Sequence, residues 1–211
     1  MDFFKGVVLK VVGYRNPKVY WDTRWKLGLK AEKWTQETLE REFTLINGLM
    51  EQYGCENILD VGCGKAHLRN LKGYIGLDYS REVLKKSKVN TFIYGDISDS
   101  NLPIPDRSFD AVMTRFVLLH IPFEKIEFAV DNICRIAREL IILKEPTSAF
   151  PKQTHFHCFA YNLPKLFEKF DGKVVFLPLE KKEIVRPQIA YLKDRISKKK
   201  PKAREKAEII I

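Results

Sequence analysis

Eleven residues, Ile58 to Leu68, constrain the fold of this chain more than any others: Ile-Leu-Asp-Val-Gly-Cys-Gly-Lys-Ala-His-Leu. Ile58 to Val61 is a short apolar run holding one acid, Asp60, which is the pattern of a buried parallel strand. Gly62, Cys63 and Gly64 then demand a tight turn, in which two residues without a Cβ let the backbone approach a ligand closely. Ala66, Leu68 and Leu71 predict a helix whose N-terminus would aim free N–H groups at that turn. Strand, glycine turn and helix make half of a nucleotide site.

The details argue against a dinucleotide. That fingerprint needs a third glycine three positions after Gly64, where this chain has His67. Asp60, just before the glycines, would repel a pyrophosphate but could receive an ammonium group. A second acid, Asp78, closes the apolar run Tyr74 to Leu77 and is placed for two ribose hydroxyls. A ligand with a ribose, an adenine and a cationic amino-acid end, but no phosphate, fits this layout. S-adenosylmethionine is such a ligand.

The rest of the chain alternates strand and helix patterns. Thr35 is placed to cap a helix with Leu39, Phe43, Ile46, Met50 and Tyr53 on one face, closed by Gly54. Ser80 caps a helix through Val83 and Leu84, and strands are expected at 91–94, 111–114 and 140–143. Helices are expected over 123–137 and 162–170. Regular alternation of this kind predicts an α/β, doubly wound sheet.

Five segments carry a family resemblance: Leu59-Asp-Val-Gly-Cys-Gly64, Gly76-Leu-Asp-Tyr-Ser80, Gly95-Asp-Ile97, Leu102-Pro-Ile-Pro-Asp-Arg-Ser-Phe-Asp-Ala-Val112 and Leu118-Leu-His-Ile121. In this order and spacing, residues 57–145 resemble a class I S-adenosylmethionine-dependent methyltransferase of the type 11 subgroup. The resemblance implies a Rossmann-like, mostly parallel seven-stranded sheet with an antiparallel C-terminal hairpin, for which 174–177 and 189–192 are candidates. It implies that Asp60 with Gly62, Cys63 and Gly64 binds the methionine end and that Asp78 takes the ribose. Tyr79 would lie against the adenine, with Asp96 and Ile97 at its amino edge. Thr114, Arg115 and Phe116 follow the fourth strand at the ligand-bearing edge, and lack the Asn/Asp-Pro-Pro-aromatic signature of base-amine methylation. The family's glycine pair before the fifth strand is replaced by Arg138-Glu139. His120 is either a catalytic proton acceptor or a buried structural histidine. Arg24 stands in an aromatic stretch with Tyr20, Trp21, Trp25 and Trp34, either a lid reaching the methionine carboxylate or a helix core.

The expected organisation is an N-terminal helical segment or lid (1–56), a methyltransferase domain (57–192) and a basic tail (193–211). The net charge of +10 belongs to the ends: residues 1–33 and 193–211 each hold eight Lys/Arg against three Asp/Glu, and the middle is neutral. A neutral core favours a small-molecule acceptor. Basic ends interleaved with aromatics keep RNA as the alternative, with protein as a further one. A non-catalytic scaffold that keeps the fold is the competing class. No stretch suits a membrane or a signal peptide, and four cysteines without Cys-x-x-Cys spacing suit a reduced, cytoplasmic setting; oligomeric state is left open. His155-Phe-His157-Cys158 invites a metal, but no further ligand pair supports one in the sequence, so none is expected.

Overall fold

The structure, a computed structural model, describes residues 17–27, 34–87, 91–155, 157–179 and 207–209. Helix α1 (Pro17–Lys26) and helix α2 (Gln36–Gln52) precede strand β1 (Ile58–Val61), which is followed by β2 (Tyr74–Asp78), α3 (Arg81–Leu84) and β3 (Phe92–Tyr94). Strand β4 (Phe109–Arg115), a 3₁₀ turn (Leu118–His120), helix α4 (Ile126–Ile136) and strand β5 (Ala137–Lys144) come next. Strands β6 (Lys152–His155) and β7 (Cys158–Ala160), helix α5 (Leu163–Leu166), β8 (Lys173–Phe176) and β9 (Ala207–Ile209) complete the order.

The sheet runs β3-β2-β1-β4-β5-β8, six parallel strands, with Ala207–Ile209 pairing parallel to β8 outside them. Strand order reverses between β1 and β4, which opens a crevice at their carboxyl ends. Side chains alternate across the sheet. Ile141 and Leu143 join the core under α4, with Leu59, Val61 and Val112. Leu140 and Ile142 face the opposite way, with Ile58, Met113, Val175 and the α2 residues Ile46 and Met50. Both faces are therefore buried, as a central parallel strand requires.

The expected doubly wound sheet is present, with corrections in its details. Residues 174–177 do not begin an antiparallel hairpin: β8 runs parallel to β5, after a crossover that holds β6, β7 and α5. Six strands, not seven, make the body of the sheet, and 189–192 lies outside the described residues. Antiparallel pairing occurs instead in β6 and β7, a separate two-stranded ribbon. Nor is there a helix after the glycine turn. Ala66 sits in the left-handed region (φ 55). Successive short turns, such as Ala66 N–H to the Cys63 carbonyl (2.9 Å) and Leu71 N–H to the Leu68 carbonyl (3.0 Å), carry the chain to β2. The backbone cannot propagate an α-helix through a left-handed residue. The segment expected at 162–170 forms only the single turn of α5, whereas the Thr35 and Ser80 caps are as expected.

The lower rim is pinned by Asp110. Its carboxylate accepts from Glu56 N–H (2.9 Å), the Asn57 amide (3.2 Å) and Arg138 (2.5 Å), and its own N–H donates to Asn57 Oδ1 (2.9 Å). These bonds fix the start of β1 against β4. Asp110→Ala removes the charged acceptor of the part-buried Glu56 N–H and Asn57 amide, so we expect a loss of about 1.5–3 kcal/mol of folding free energy, read from the urea midpoint. An unchanged midpoint would show that water replaces the carboxylate at no cost.

Candidate functional site

A cavity of about 970 Å³ opens at the carboxyl ends of β1, β2 and β4. Helix α1 and the β6–β7 ribbon complete its walls through Trp21, Arg24, Thr154 and His157, among others. Its size is that of a drug-sized ligand site.

The glycine turn forms its floor. Gly62 is left-handed (φ 66), and a Cβ there would lie 2.4 Å from Val117 Cγ2. Only glycine lets the chain after β4 close over this turn. The Gly62 and Cys63 N–H groups both donate to the Leu77 carbonyl (2.7 and 3.1 Å), while Gly64 N–H donates to Asp78 Oδ2 (3.0 Å). The turn is thus clamped to the end of β2 instead of opening from a helix N-terminus.

Four carboxylates are buried at this edge: Glu42, Asp60, Asp78 and Glu145. Asp60 accepts from the Tyr74 hydroxyl (2.7 Å). Burial raises its pKa to about 6, against the lowering pull of Arg115 and of the Tyr74 hydrogen bond. Asp78 takes a backbone N–H on each oxygen, Gly64 on one and Ser80 (2.9 Å) on the other. Burial nevertheless raises it to about 6, opposing those two bonds. A carboxylate offers roughly four lone-pair positions, so each oxygen keeps capacity for a ligand hydroxyl. Asp96 Oδ1 holds Ser98 through its N–H (2.9 Å) and hydroxyl (2.7 Å), shaping the loop that presents Ile97.

The segment after β4 is built on Glu145. One of its oxygens accepts from Val117 N–H (2.7 Å) and Leu118 N–H (3.2 Å). Burial pushes the Glu145 carboxyl up to about 7, opposed by those same bonds. Phe116, left-handed at φ 57, makes the bend that brings both N–H groups round. A non-glycine residue held there is local strain at a ligand edge. Beyond the bend the 3₁₀ turn carries His120 to the cavity wall. Its Nδ1 donates to the His157 carbonyl (2.9 Å), because a carbonyl can only accept. Burial lowers His120 to about 4, so the ring is neutral at physiological pH.

Arg115 pairs with Glu42 of α2 (2.7 Å), and Lys144 bonds to the other Glu42 oxygen. Trp34 lies over both cations, 4.8 Å from the Arg115 guanidinium and 5.2 Å from the Lys144 ammonium. Arg24 donates to the Tyr20 hydroxyl (3.1 Å) and stands over Trp21. Helix α1 is tied down by polar contacts, the Ser80 hydroxyl to Asp22 (2.7 Å) and Lys18 to the Tyr94 hydroxyl (2.6 Å).

Of the residues singled out in the sequence, Arg24, Asp60, Gly62, Cys63, Gly64, Asp78, Tyr79, Asp96, Ile97, Arg115 and His120 all line the one cavity. Thr114 does not. It is fully buried in β4, beneath the wall that Arg115 and Phe116 form. Sequence reasoning missed Glu42, Tyr74, Lys144 and Glu145. The one available signal was the acid of Leu-Lys-Glu145-Pro, which follows a fully apolar strand at the ligand-bearing edge.

Residues 59–140 match a protein family described as "Methyltransferase domain". No curated protein matches the chain. Similar solved structures include a SAM-dependent methyltransferase from Archaeoglobus fulgidus (19% identity, 50% of this chain and 53% of that one, TM-score 0.40). The YcgJ protein of Bacillus subtilis is another (22%, 52% and 52%, 0.44), as is the PH0226 protein of Pyrococcus horikoshii (25%, 49% and 55%, 0.40). The chain spans about half the length of these structures. Among the described residues no helix is long and apolar enough to cross a membrane.

Tyr74 is the nearest control on the Asp60 charge. Tyr74→Phe removes the hydrogen bond that favours the carboxylate, so the Asp60 pKa is expected to rise above about 6. Carboxyl-carbon NMR titration measures it, and an unmoved midpoint would show that the phenol does not tune this acid.

Proposed function

We infer, from a chain whose residues 59–140 match a methyltransferase-domain family, that the protein transfers a methyl group from S-adenosylmethionine to a small-molecule acceptor. The observation that carries this reading is the pair of buried acids at neighbouring strand ends, Asp60 and Asp78, facing one cavity. Their chemistry fits the donor. An acid whose burial resists ionisation gains most from a cation, so Asp60 would take the ammonium group. Asp78, with each oxygen already fixed by an N–H, would receive the ribose hydroxyls.

Tyr79, Asp96 and Ile97 form the wall available to the adenine, and Gly62 to Gly64 leave room for close approach along the backbone. Arg24 and Arg115 are the guanidinium groups on the wall, and Arg24 is assigned to the methionine carboxylate. When bound, S-adenosylmethionine supplies an electrophilic methyl group on a sulfonium. The protein's share is to hold donor and acceptor in line, which alone can account for a large part of the rate. His120 is a neutral imidazole that can accept a hydrogen bond from the acceptor through Nε2. With a pKa of about 4 it stores a proton poorly, so its contribution lies in orientation.

A small molecule is favoured because the cavity is of ligand size and is lined by Trp21, Trp34, Phe116 and residues of the β6–β7 ribbon. The basic ends 1–33 and 193–211, which would serve RNA, lie largely outside the described residues. Calorimetry with S-adenosylmethionine and with its demethylated product tests the donor site, and folded protein that binds neither sinks the reading. Asp78→Ala should weaken binding by about 1.5–3 kcal/mol for each charge-assisted bond removed. Both acids must be ionised to act, so donor affinity should fall as pH drops through about 6. From pH 7 to pH 5 the loss is about tenfold for each carboxylate. Methyl label from the donor, followed into an extract and sorted by fraction, should enter small molecules. Label in RNA would replace that acceptor with the alternative, and binding without any transfer would favour a scaffold.

A further inference from the structure

We propose that His120, His157 and Cys158 form a binding site for one zinc ion on the wall of the cavity. The sequence offered His155-Phe-His157-Cys158 without a further ligand pair, and the fold brings His120 to His157 and Cys158. His120, from the 3₁₀ turn after β4, comes against the β6–β7 ribbon. One ligand atom from each of the three side chains lies within 4.8 Å of the others. Cys158 Sγ is 3.8 Å from His120 Nδ1. Two ligands of one tetrahedral zinc, at about 2.3 Å for sulfur and 2.05 Å for nitrogen, stand about 3.6 Å apart. The His120 and His157 rings are stacked, with centroids 5.1 Å apart and planes 4° from parallel, so one ring must turn to bring its nitrogen lone pair onto a shared ion.

The chemistry of the set selects the ion. A thiolate and two imidazoles suit zinc and exclude magnesium or calcium, which take oxygen ligands. On metal binding His120 Nδ1 exchanges the His157 carbonyl for the ion and the proton moves to Nε2, which in the metal-bound form donates to an acceptor group instead of accepting from it. The Cys158 thiol releases its proton to solvent as the sulfur ligates. Around the three ligands stand Tyr20, whose hydroxyl is 3.5 Å from His157 Nε2, and Trp21, packed edge-on against the His120 ring at 4.9 Å. An outer layer of this kind orients ligands.

Three protein ligands leave the fourth position open, as in catalytic and not structural zinc sites. All three residues line the same cavity as Asp60 and Asp78, so the open position faces ligand space. A thiol or hydroxyl arriving there binds through a lone pair and gives its proton to solvent, with the ion stabilising the deprotonated atom. On the methyl-transfer reading above, on which this last step rests, the site favours acceptors bearing such a group.

The test uses the full chain, stripped with a chelator and titrated with zinc against a chromogenic competitor. One ion per chain is expected. Cys158→Ser and His157→Ala should each weaken binding by more than about 100-fold, beyond the 10–100-fold that outer partners cost. Cobalt substitution should give a thiolate-to-metal absorption band that Cys158→Ser abolishes. Circular dichroism and donor calorimetry on the same preparations show that the variants are folded, and they report the donor site independently. Absence of stoichiometric zinc in folded wild-type protein overturns the proposal. So does binding that survives both substitutions, or a cobalt spectrum with no thiolate band.

Discussion

Charge buried at the carboxyl edge of the sheet is the constraint on which the rest of this structure depends. Glu42, Asp60, Asp78 and Glu145 are each no more than 7% exposed, and an unpartnered buried carboxylate is among the most destabilising features a fold can carry. Each one is answered by a different part of the chain. Tyr74 serves Asp60, and the backbone of the glycine turn serves Asp78. The bend after β4 serves Glu145, and Arg115 with Lys144 serves Glu42. Satisfying the acids therefore ties β1, β2, β4 and α2 together at this edge, beside the strand ladders and the apolar core they share.

The arrangement also explains why the segment after β4 is strained. Glu145 demands two N–H groups from consecutive residues, and only a left-handed Phe116 delivers them. The same bend places Val117 where any Cβ on Gly62 would collide with it. Two departures from ordinary backbone geometry thus lock together, one tolerated because it is glycine and one because a buried acid compensates for it. Helix α1, by contrast, is attached to the edge through polar contacts such as Asp22 with Ser80, while only Tyr20 of its described side chains is fully buried.

The parts legible in the sequence were those set by local rules. Glycine spacing, apolar strand runs and the caps at Thr35 and Ser80 each involve residues a few positions apart, and the strand-ending acids Asp60 and Asp78 follow from them. The parts that were not legible depend on distance along the chain. Lys144 meets Glu42 across 102 positions, and His120 meets His157 across 37. No periodicity in the sequence encodes such pairs. The missing helix after Gly64 is a different case. Ala66, Leu68 and Leu71 have helical spacing, but the twelve residues from Gly62 to Gly73 must also clamp the turn to Leu77 and Asp78. Tertiary demands overrode propensity there. The direction of β8 was misjudged because residues 174–177 show only that a strand exists, not which way a crossover brings it in.

The acids also set a direction for stability in the ligand-free protein. Asp60 and Asp78 both titrate near 6 in the folded chain, above the ordinary carboxylate value of 3.8. An acid whose folded pKa is raised binds its proton more tightly folded than unfolded. Its contribution to stability is therefore greatest at low pH and declines as pH rises from about 4 to about 6. Above that window each ionised acid costs about 3 kcal/mol relative to its unfolded form, by the usual conversion of a pKa difference. A cationic ligand reverses this balance, because its binding requires the same ionised form that the empty site disfavours. A cation set against Asp60 would offset that cost, because it favours the ionised form that burial disfavours.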